Sequence, residues 1–189
     1  MQNFLPKIYC YINDFNLTEL LRLGNNINLI YRNYDKKNNI NTVLKLRDFC
    51  RKTRRKLFIS NNIKLALNLK LNGIYIPSYN KKINYYFPIN KPRNFGVIGS
   101  AHNIKEILIK ERQGCKEIFI SSIFKIQKSN KFLGIVKFNF LANQSKQKVI
   151  ALGGINENNY KRLKSANSVG FACISWAKKN GLRELRPLL

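Results

Sequence analysis

Histidine is nearly missing from this chain. Only one of its 189 residues, His102, is a histidine, which leaves multi-histidine metal centres without ligands and Ser-His-Asp chemistry short of parts. His102 stands just before an expected helix start and reads as a structural or capping residue. Acidic residues are also scarce, 9 Asp and Glu against 35 Lys and Arg, for a net charge of +26. Such a field attracts RNA, membrane phosphate or anionic metabolites. Four cysteines, Cys10, Cys50, Cys115 and Cys173, form no C-x-x-C pair and sit among apolar neighbours. They read as reduced core thiols, and the expected compartment is the cytoplasm. No apolar run approaches the roughly 18 residues a membrane span needs, and Met1 to Pro6 lacks a signal pattern.

What is present suits one globular domain over residues 1–189, with 44% hydrophobic content and enough length for a sizeable core. The lysines are spread along the chain. The one dense cluster, Arg51-Lys52-Thr53-Arg54-Arg55-Lys56, falls at the end of an expected helix. It reads either as a solvated helix end that offsets the dipole or as a nucleic-acid patch.

Apolar runs recur with helix-length segments between them. Lys7–Ile12, Asn28–Tyr31, Leu57–Ser60, Gly73–Ile76, Phe95–Gly99, Ile118–Ile120, Val149–Leu152 and Val169–Ile174 read as strands. Helices are expected over Leu17–Leu23, Val43–Cys50, Ile63–Leu71, Asn103–Arg112, Gly134–Phe140 and Glu157–Ala166. Asn103 and Glu106 resemble a capping box. Ser78–Arg93 reads as loop, and its run Tyr85-Tyr86-Phe87 either packs on itself or stacks on a planar ligand. The alternation favours a parallel sheet with outer helices, and eight repeats favour a compact (β/α)8 barrel over an open flavodoxin-like sheet. At 189 residues the chain is lean for a fold whose usual length is about 250.

The stretch Val149-Ile150-Ala151-Leu152-Gly153-Gly154-Ile155-Asn156 carries the clearest chemistry. A buried strand runs into two glycines, and a helix is expected to open behind them. Bare N–H groups and a helix dipole at such a turn make an anion site. In a (β/α)8 barrel the loops after strands 7 and 8 commonly hold a phosphate.

Several segments together resemble one family. Ile8–Asp14 (IYCYIND), Leu57–Ala66 (LFISNNIKLA), Asn72–Ile76 (NGIYI), Ile98–His102 with Glu106 (IGSAH), Gly114–Phe124 (GCKEIFISSIF), Ala151–Asn159 (ALGGINENN) and Val169–Ser175 (VGFACIS) are similar, in order, to motifs of the thiamine-phosphate synthase/TenI family. The resemblance runs from Ile8 to about Ala177. It implies a (β/α)8 barrel of thiamine biosynthesis that couples or binds a phosphorylated thiazole and hydroxymethylpyrimidine diphosphate.

Carried across by position, Gly153, Gly154, Ile174 and Ser175 match the pocket for the thiazole phosphate. Ser100 and Arg32 match pyrophosphate contacts and stand as the candidate catalytic residues. Ser60 and Asn61 match the family's Asn-Asp pair at the substrate. Elsewhere the pattern changes. Ile30 and Tyr34 replace the Gln and Lys that flank Arg32 in the motif. The Mg2+ implied by the family would meet Asn61 and Asn80 in place of two aspartates. Neutral amides balance a divalent cation poorly, so a weak or missing Mg2+ site is expected. The phosphate-binding segment after strand six reads Ile126-Gln127-Lys128-Ser129, with Lys128 or Lys131 as the substitute cation. Ser122 stands where the TenI branch has a histidine. Three readings stay open: an altered synthase, a phosphate-binding barrel without the transferase step, and a basic RNA-associated protein. A homo-oligomer is compatible with each.

Overall fold

The computed structural model describes residues 6–24, 26–33, 39–83, 92–127 and 129–173. Strands β1 (Lys7–Ile12), β2 (Ile27–Tyr31), β3 (Leu57–Ser60) and β4 (Gly73–Ile76) are followed by β5 (Gly96–Ala101), β6 (Glu117–Ser121), β7 (Lys148–Leu152) and β8 (Gly170–Cys173). All neighbours pair in parallel and in chain order, and β8 closes on β1 with Cys173 opposite Cys10. The fold is a closed (β/α)8 barrel. Helices α1 (Leu17–Arg22), α2 (Ile40–Lys52), α3 (Ile63–Asn68), α4 (Ile104–Arg112) and α5 (Gly134–Asn143) lie between strands, and a 3-10 segment, Tyr160–Ser165, lies between β7 and β8.

Each strand is apolar on both faces because each face is covered, which is why these runs read as continuous. Alternate residues divide between two cores. Tyr9, Tyr11, Ile30, Phe58, Tyr75, Ile98 and Phe119 fill the barrel interior. Cys10, Leu29, Tyr31, Ile59, Ile74 and Ile118 point outward to meet Val43, Leu46, Phe138 and Leu141 of the helices. All four cysteines are free and buried, and burial pushes the thiols of Cys50 and Cys115 up to about 12.

Asparagine starts four of the helices. The side-chain oxygens of Asn16, Asn39, Asn62 and Asn103 accept backbone N–H bonds from the first turns of α1 to α4. At α4 the capping box is displaced by one residue, since Glu106 Oε2 accepts from His102 N–H at 2.8 Å.

The basic cluster after α2 does not form one patch. Arg55 turns inward, 6% exposed. One of its amino groups donates to Leu23 O at 3.0 Å, and its guanidinium lies 5.3 Å from the Phe49 ring centroid. Burial lowers its pKa. The cluster leads into the start of β3, at the end of the barrel opposite the mouth formed by the strands' C-terminal ends. At that same end Glu117 is bonded by Lys7 Nζ and by Tyr9 OH. Burial and this carboxylate raise the Tyr9 phenol.

Candidate functional site

The mouth is built from the loops that leave the strands. After β7, Gly153 and Gly154 take φ values of 96° and 72°, conformations that strain any residue with a Cβ. The bonds that fasten this turn use its carbonyls: Gly153 O accepts from Phe124 N–H at 3.1 Å, and Gly154 O accepts from Asn159 Nδ2 at 2.8 Å. Their N–H groups take no part in those two bonds. A Cβ on Gly153 would lie 2.5 Å from Ser122 Oγ, and one on Gly154 would lie 2.5 Å from both Phe124 O and Lys125 O. The glycines therefore also let the loop after β6 close on the turn. The helix expected directly behind them is absent. Asn156 and Asn159 form a turn, and the six-residue 3-10 segment starts only at Tyr160. Among the described residues nothing accepts from the Gly153 and Gly154 N–H groups, and the helix dipole expected behind the turn is missing. Ile174 and Ser175, placed beside them by the sequence, lie outside the described residues, as do Lys128, Tyr34 and Tyr85 to Phe87.

Arg32 and Ser100 are connected across the mouth. The Arg32 guanidinium lies 4.5 Å from the centroid of the Tyr11 ring, a cation–π contact. Tyr11 and Tyr75 pack edge to face at 5.4 Å, and Phe119 lies 6.0 Å from Tyr75. Tyr75 OH donates to Ser100 Oγ at 2.8 Å, and Ser78 N–H donates to the same oxygen at 3.0 Å. Ser100 is 4% exposed. Its oxygen thus holds the turn after β4, and its own hydrogen is what it can give to a ligand. Tyr11, Tyr75 and Phe119 fill the centre of the barrel beneath the mouth.

Ser60 ends β3 opposite Tyr75, and Asn61 follows it with φ 56°, a conformation asparagine tolerates better than most residues. Asn61 Oδ1 accepts from Asn80 Nδ2 at 2.8 Å, while Asn61 Nδ2 donates to Tyr79 OH at 3.0 Å. The two positions matched to metal aspartates thus meet, as amides bonded to each other. Mg2+ favours carboxylate and water oxygens in octahedral geometry. This pair offers no charge, and both of its oxygens are engaged, Asn61 Oδ1 by Asn80 and Asn80 Oδ1 by the Lys82 N–H at 3.1 Å. Among the described residues no group of three or more His, Cys, Asp or Glu gathers. The residues present do not fit the ion.

The same loop is pinned from outside by a residue that the sequence reading passed over. Lys110 of α4 is fully buried. Its ammonium donates to Pro77 O (2.7 Å), Asn80 O (2.8 Å) and Gln113 Oε1 (2.9 Å). Gln113 Nε2 donates in turn to Asn80 O and Lys82 O. Burial pulls the Lys110 ammonium down to about 8. The signal was available, because Lys110 lies three positions after buried Ile107, on the inward face of α4.

A cleft of about 400 Å3 opens between the loops after β5 and β6. It is lined by polar side chains (His102, Ser121, Ser122, Ser129 and Lys131) and by apolar ones (Ile126, Phe132 and Leu133). Ser122 also abuts Gly153, so the cleft and the glycine turn share a wall. His102 was expected to be structural; its backbone does join the cap of α4, while its ring lines this cleft.

These elements define the chain as a (β/α)8 barrel whose mouth carries a double-glycine turn and a polar cleft. Residues 16–177 match the family model described as thiamine monophosphate synthase, and the chain belongs to that family. It is 30% identical over 122 residues to a thiamine-phosphate synthase of Clostridium tetani, covering 63% of this chain and 57% of that protein. It is 28% identical over 120 residues to one of Methanococcus vannielii, covering 62% and 57%. The chain thus spans just over half the length of the curated relatives it matches. Among solved structures, a thiamine phosphate pyrophosphorylase from Pyrococcus furiosus superposes with a TM-score of 0.67 at 21% identity, covering 92% of this chain and 87% of that one. One from Bacteroides thetaiotaomicron gives 0.62 at 21% identity, covering 97% and 91%. At that identity the likeness speaks for the fold. Among the described residues no helix is long and apolar enough to cross a membrane.

Proposed function

We infer that the protein binds the phosphorylated thiazole of thiamine biosynthesis, through the bare N–H groups of Gly153 and Gly154 at the mouth of the barrel. The observation that carries this reading is the turn itself: positive φ at both glycines, carbonyls engaged, and N–H groups outside those bonds. Backbone donors held rigidly in a turn meet a phosphate with little reorganisation. Family membership supplies the ligand class. Arg32 and Ser100 offer a cation and a hydroxyl hydrogen to a second anionic group across the mouth. The Asn61–Asn80 pair favours binding without Mg2+-assisted coupling, since neither amide supplies the carboxylate oxygens that hold such an ion.

Isothermal titration with the thiazole phosphate and its dephosphorylated alcohol tests the reading. The phosphorylated form is expected to bind at least about tenfold tighter, a difference of ~1.4 kcal/mol. Equal affinity for the two forms would overturn it. Incubation with hydroxymethylpyrimidine diphosphate, with and without Mg2+, is expected to yield no Mg2+-stimulated thiamine phosphate. Stimulated turnover would restore the synthase assignment.

A further inference from the structure

The two ends of the barrel differ in charge. Six of the eight strands have a cation at their first residue or within the three residues before it: Lys7, Lys56, Lys70, Arg93, Lys116 and Lys148. Over the three residues that follow each strand, the described residues hold one cation, Arg32, and one acid, Asp14. The acid that shares the entry end, Glu117, is occupied by Lys7 and Tyr9. Helix dipoles explain part of the asymmetry, since Arg51, Lys52 and Arg112 sit in last turns, where a cation is favoured. They do not explain Lys56, Arg93, Lys116 and Lys148, which lie outside the helices. All four are exposed, and among the described residues none of them forms an ion pair.

Lys56, Lys70, Arg93, Lys116 and Lys148 enter consecutive strands, β3 to β7. Neighbouring strands lie about 4.8 Å apart, so these cations follow an arc on the order of 20 Å along the rim. Each strand of a nucleic-acid duplex carries a phosphate about every 3.4 Å of axis, so an arc of that length faces roughly five or six of them. We propose that this end of the barrel is a docking surface for the phosphate backbone of a double-stranded nucleic acid. The surface itself narrows the partner. Proteins that hold single strands stack the bases on exposed aromatic rings, and Tyr9 and Phe95, at this end, are buried. An anionic membrane would receive apolar side chains at its headgroup boundary. Among the described residues the large apolar side chain exposed at a strand entry is Val169, which leads into β8, beyond the end of the arc. Backbone contacts carry no base information, so the binding is independent of sequence. The surface does not rest on the thiazole reading, because the mouth lies at the opposite end of the barrel.

Fluorescence anisotropy of short labelled RNA and DNA duplexes, titrated with the full chain across a series of salt concentrations, tests the proposal. The logarithm of the binding constant is expected to fall against the logarithm of salt with a slope of about −4 to −5, the release from five phosphate contacts. Net charge alone also attracts a polyanion, so two variants of equal charge decide where binding occurs. Lys56→Gln, Arg93→Gln, Lys116→Gln and Lys148→Gln together should weaken binding more than about tenfold and flatten the slope by about 1 for each contact removed. Lys64→Gln, Lys81→Gln, Lys105→Gln and Lys125→Gln remove the same charge from exposed positions at the mouth end. That variant should bind within about twofold of the parent, because charges so far from the duplex are screened. A charge-keeping set, Lys56→Arg, Arg93→Lys, Lys116→Arg and Lys148→Arg, is expected to bind like the parent, which separates lost charge from a lost fold. The tighter of the two duplexes names the natural partner. Equal weakening by the two glutamine sets, loss of binding in the charge-keeping set, or failure of both duplexes to bind would overturn the proposal. So would tighter binding of single strands, or stronger competition by phosphatidylserine vesicles than by duplex at equal phosphate.

Discussion

Replacing Gly154 by alanine tests whether the turn after β7 is held by close approach of the β6 loop. Two effects add at this position. The φ of 72° costs an L-residue about 1–2 kcal/mol. The new Cβ would also stand 2.5 Å from Phe124 O and from Lys125 O and 2.6 Å from Phe124 C. All three are backbone atoms, so relief means moving the loop. Such movement would break the bond from Phe124 N–H to Gly153 O, worth about 1 kcal/mol net. Together these predict a loss of about 2–3 kcal/mol, or roughly 4–12 °C in Tm for a domain of this size. Gly134 supplies the control. Its φ is 68°, nearly the same, but nothing lies within 4 Å of its Cβ position. Gly134→Ala should lose only the dihedral part, about 1–2 kcal/mol. Thermal melts followed by circular dichroism compare the two variants with the parent. Equal losses would refute the contact between the turn and the β6 loop, and with it the shared wall at Ser122.

Lys110→Met removes three donated bonds and takes from Gln113 Oε1 the ammonium that donates to it; it is expected to lose about 1–3 kcal/mol in urea melts near neutral pH. The pH dependence has a definite sign. With the folded pKa near 8 and the unfolded value at 10.5, the unfolded chain binds the extra proton between those limits. Stability of the parent relative to Lys110→Met should therefore rise with pH from about 8 to 10.5, and a falling difference would contradict the buried cation. Ser100→Ala strands the buried Tyr75 hydroxyl and the Ser78 N–H, and a loss of about 1–3 kcal/mol in urea melts is expected; a neutral effect would mean that Ser100 does not hold the β4 turn. Asn61→Asp with Asn80→Asp should create a cation site. Millimolar Mg2+ should raise the Tm of that variant and leave the parent unchanged beyond a Na+ control of equal ionic strength, and an equal rise in the parent would show a metal site that the amides conceal.

The barrel was legible because it is written in periodic patterns. Strand runs such as Lys7–Ile12, Leu57–Ser60 and Gly73–Ile76 coincide with the observed strands, since strands buried on both faces show up as unbroken apolar runs. The chain between β7 and β8 was misread. Glu157–Ala166 carries apolar residues at helical intervals, but the side chains of Asn156 and Asn159 bond to local backbone and consume the first turn that a helix would use. The phosphate turn was visible in the double glycine. The interior aromatics were not, because Tyr11 and Tyr75 look like any strand residues until closure of the barrel packs them edge to face. His102 was hidden for a similar reason: its sequence context gives the cap of α4, while its ring meets Ser121 from a strand 19 residues away. Contacts of that kind arise only from the closed ring.

The placement of charge in this barrel follows from how few acids it has. With 9 acidic residues for 35 basic ones there are too few carboxylates to pair most of the cations, and among the described residues two ion pairs are seen, Lys7–Glu117 and Arg47–Asp48. The mouth is therefore held by neutral and cationic devices. Asn61 and Asn80 satisfy each other, Lys110 draws the β4 loop inward by its carbonyls, and Arg32 rests on an aromatic face. Each leaves positive or neutral groups facing outward, so the long-range field at the mouth favours anions. That field alone would be indiscriminate. Selection has to come from fixed donors, and among the described residues the Gly153–Gly154 turn and the serines beside His102 present two sets of them beyond Ser100. Both abut Ser122, so a ligand that spans them would experience the field and both sets of donors at once.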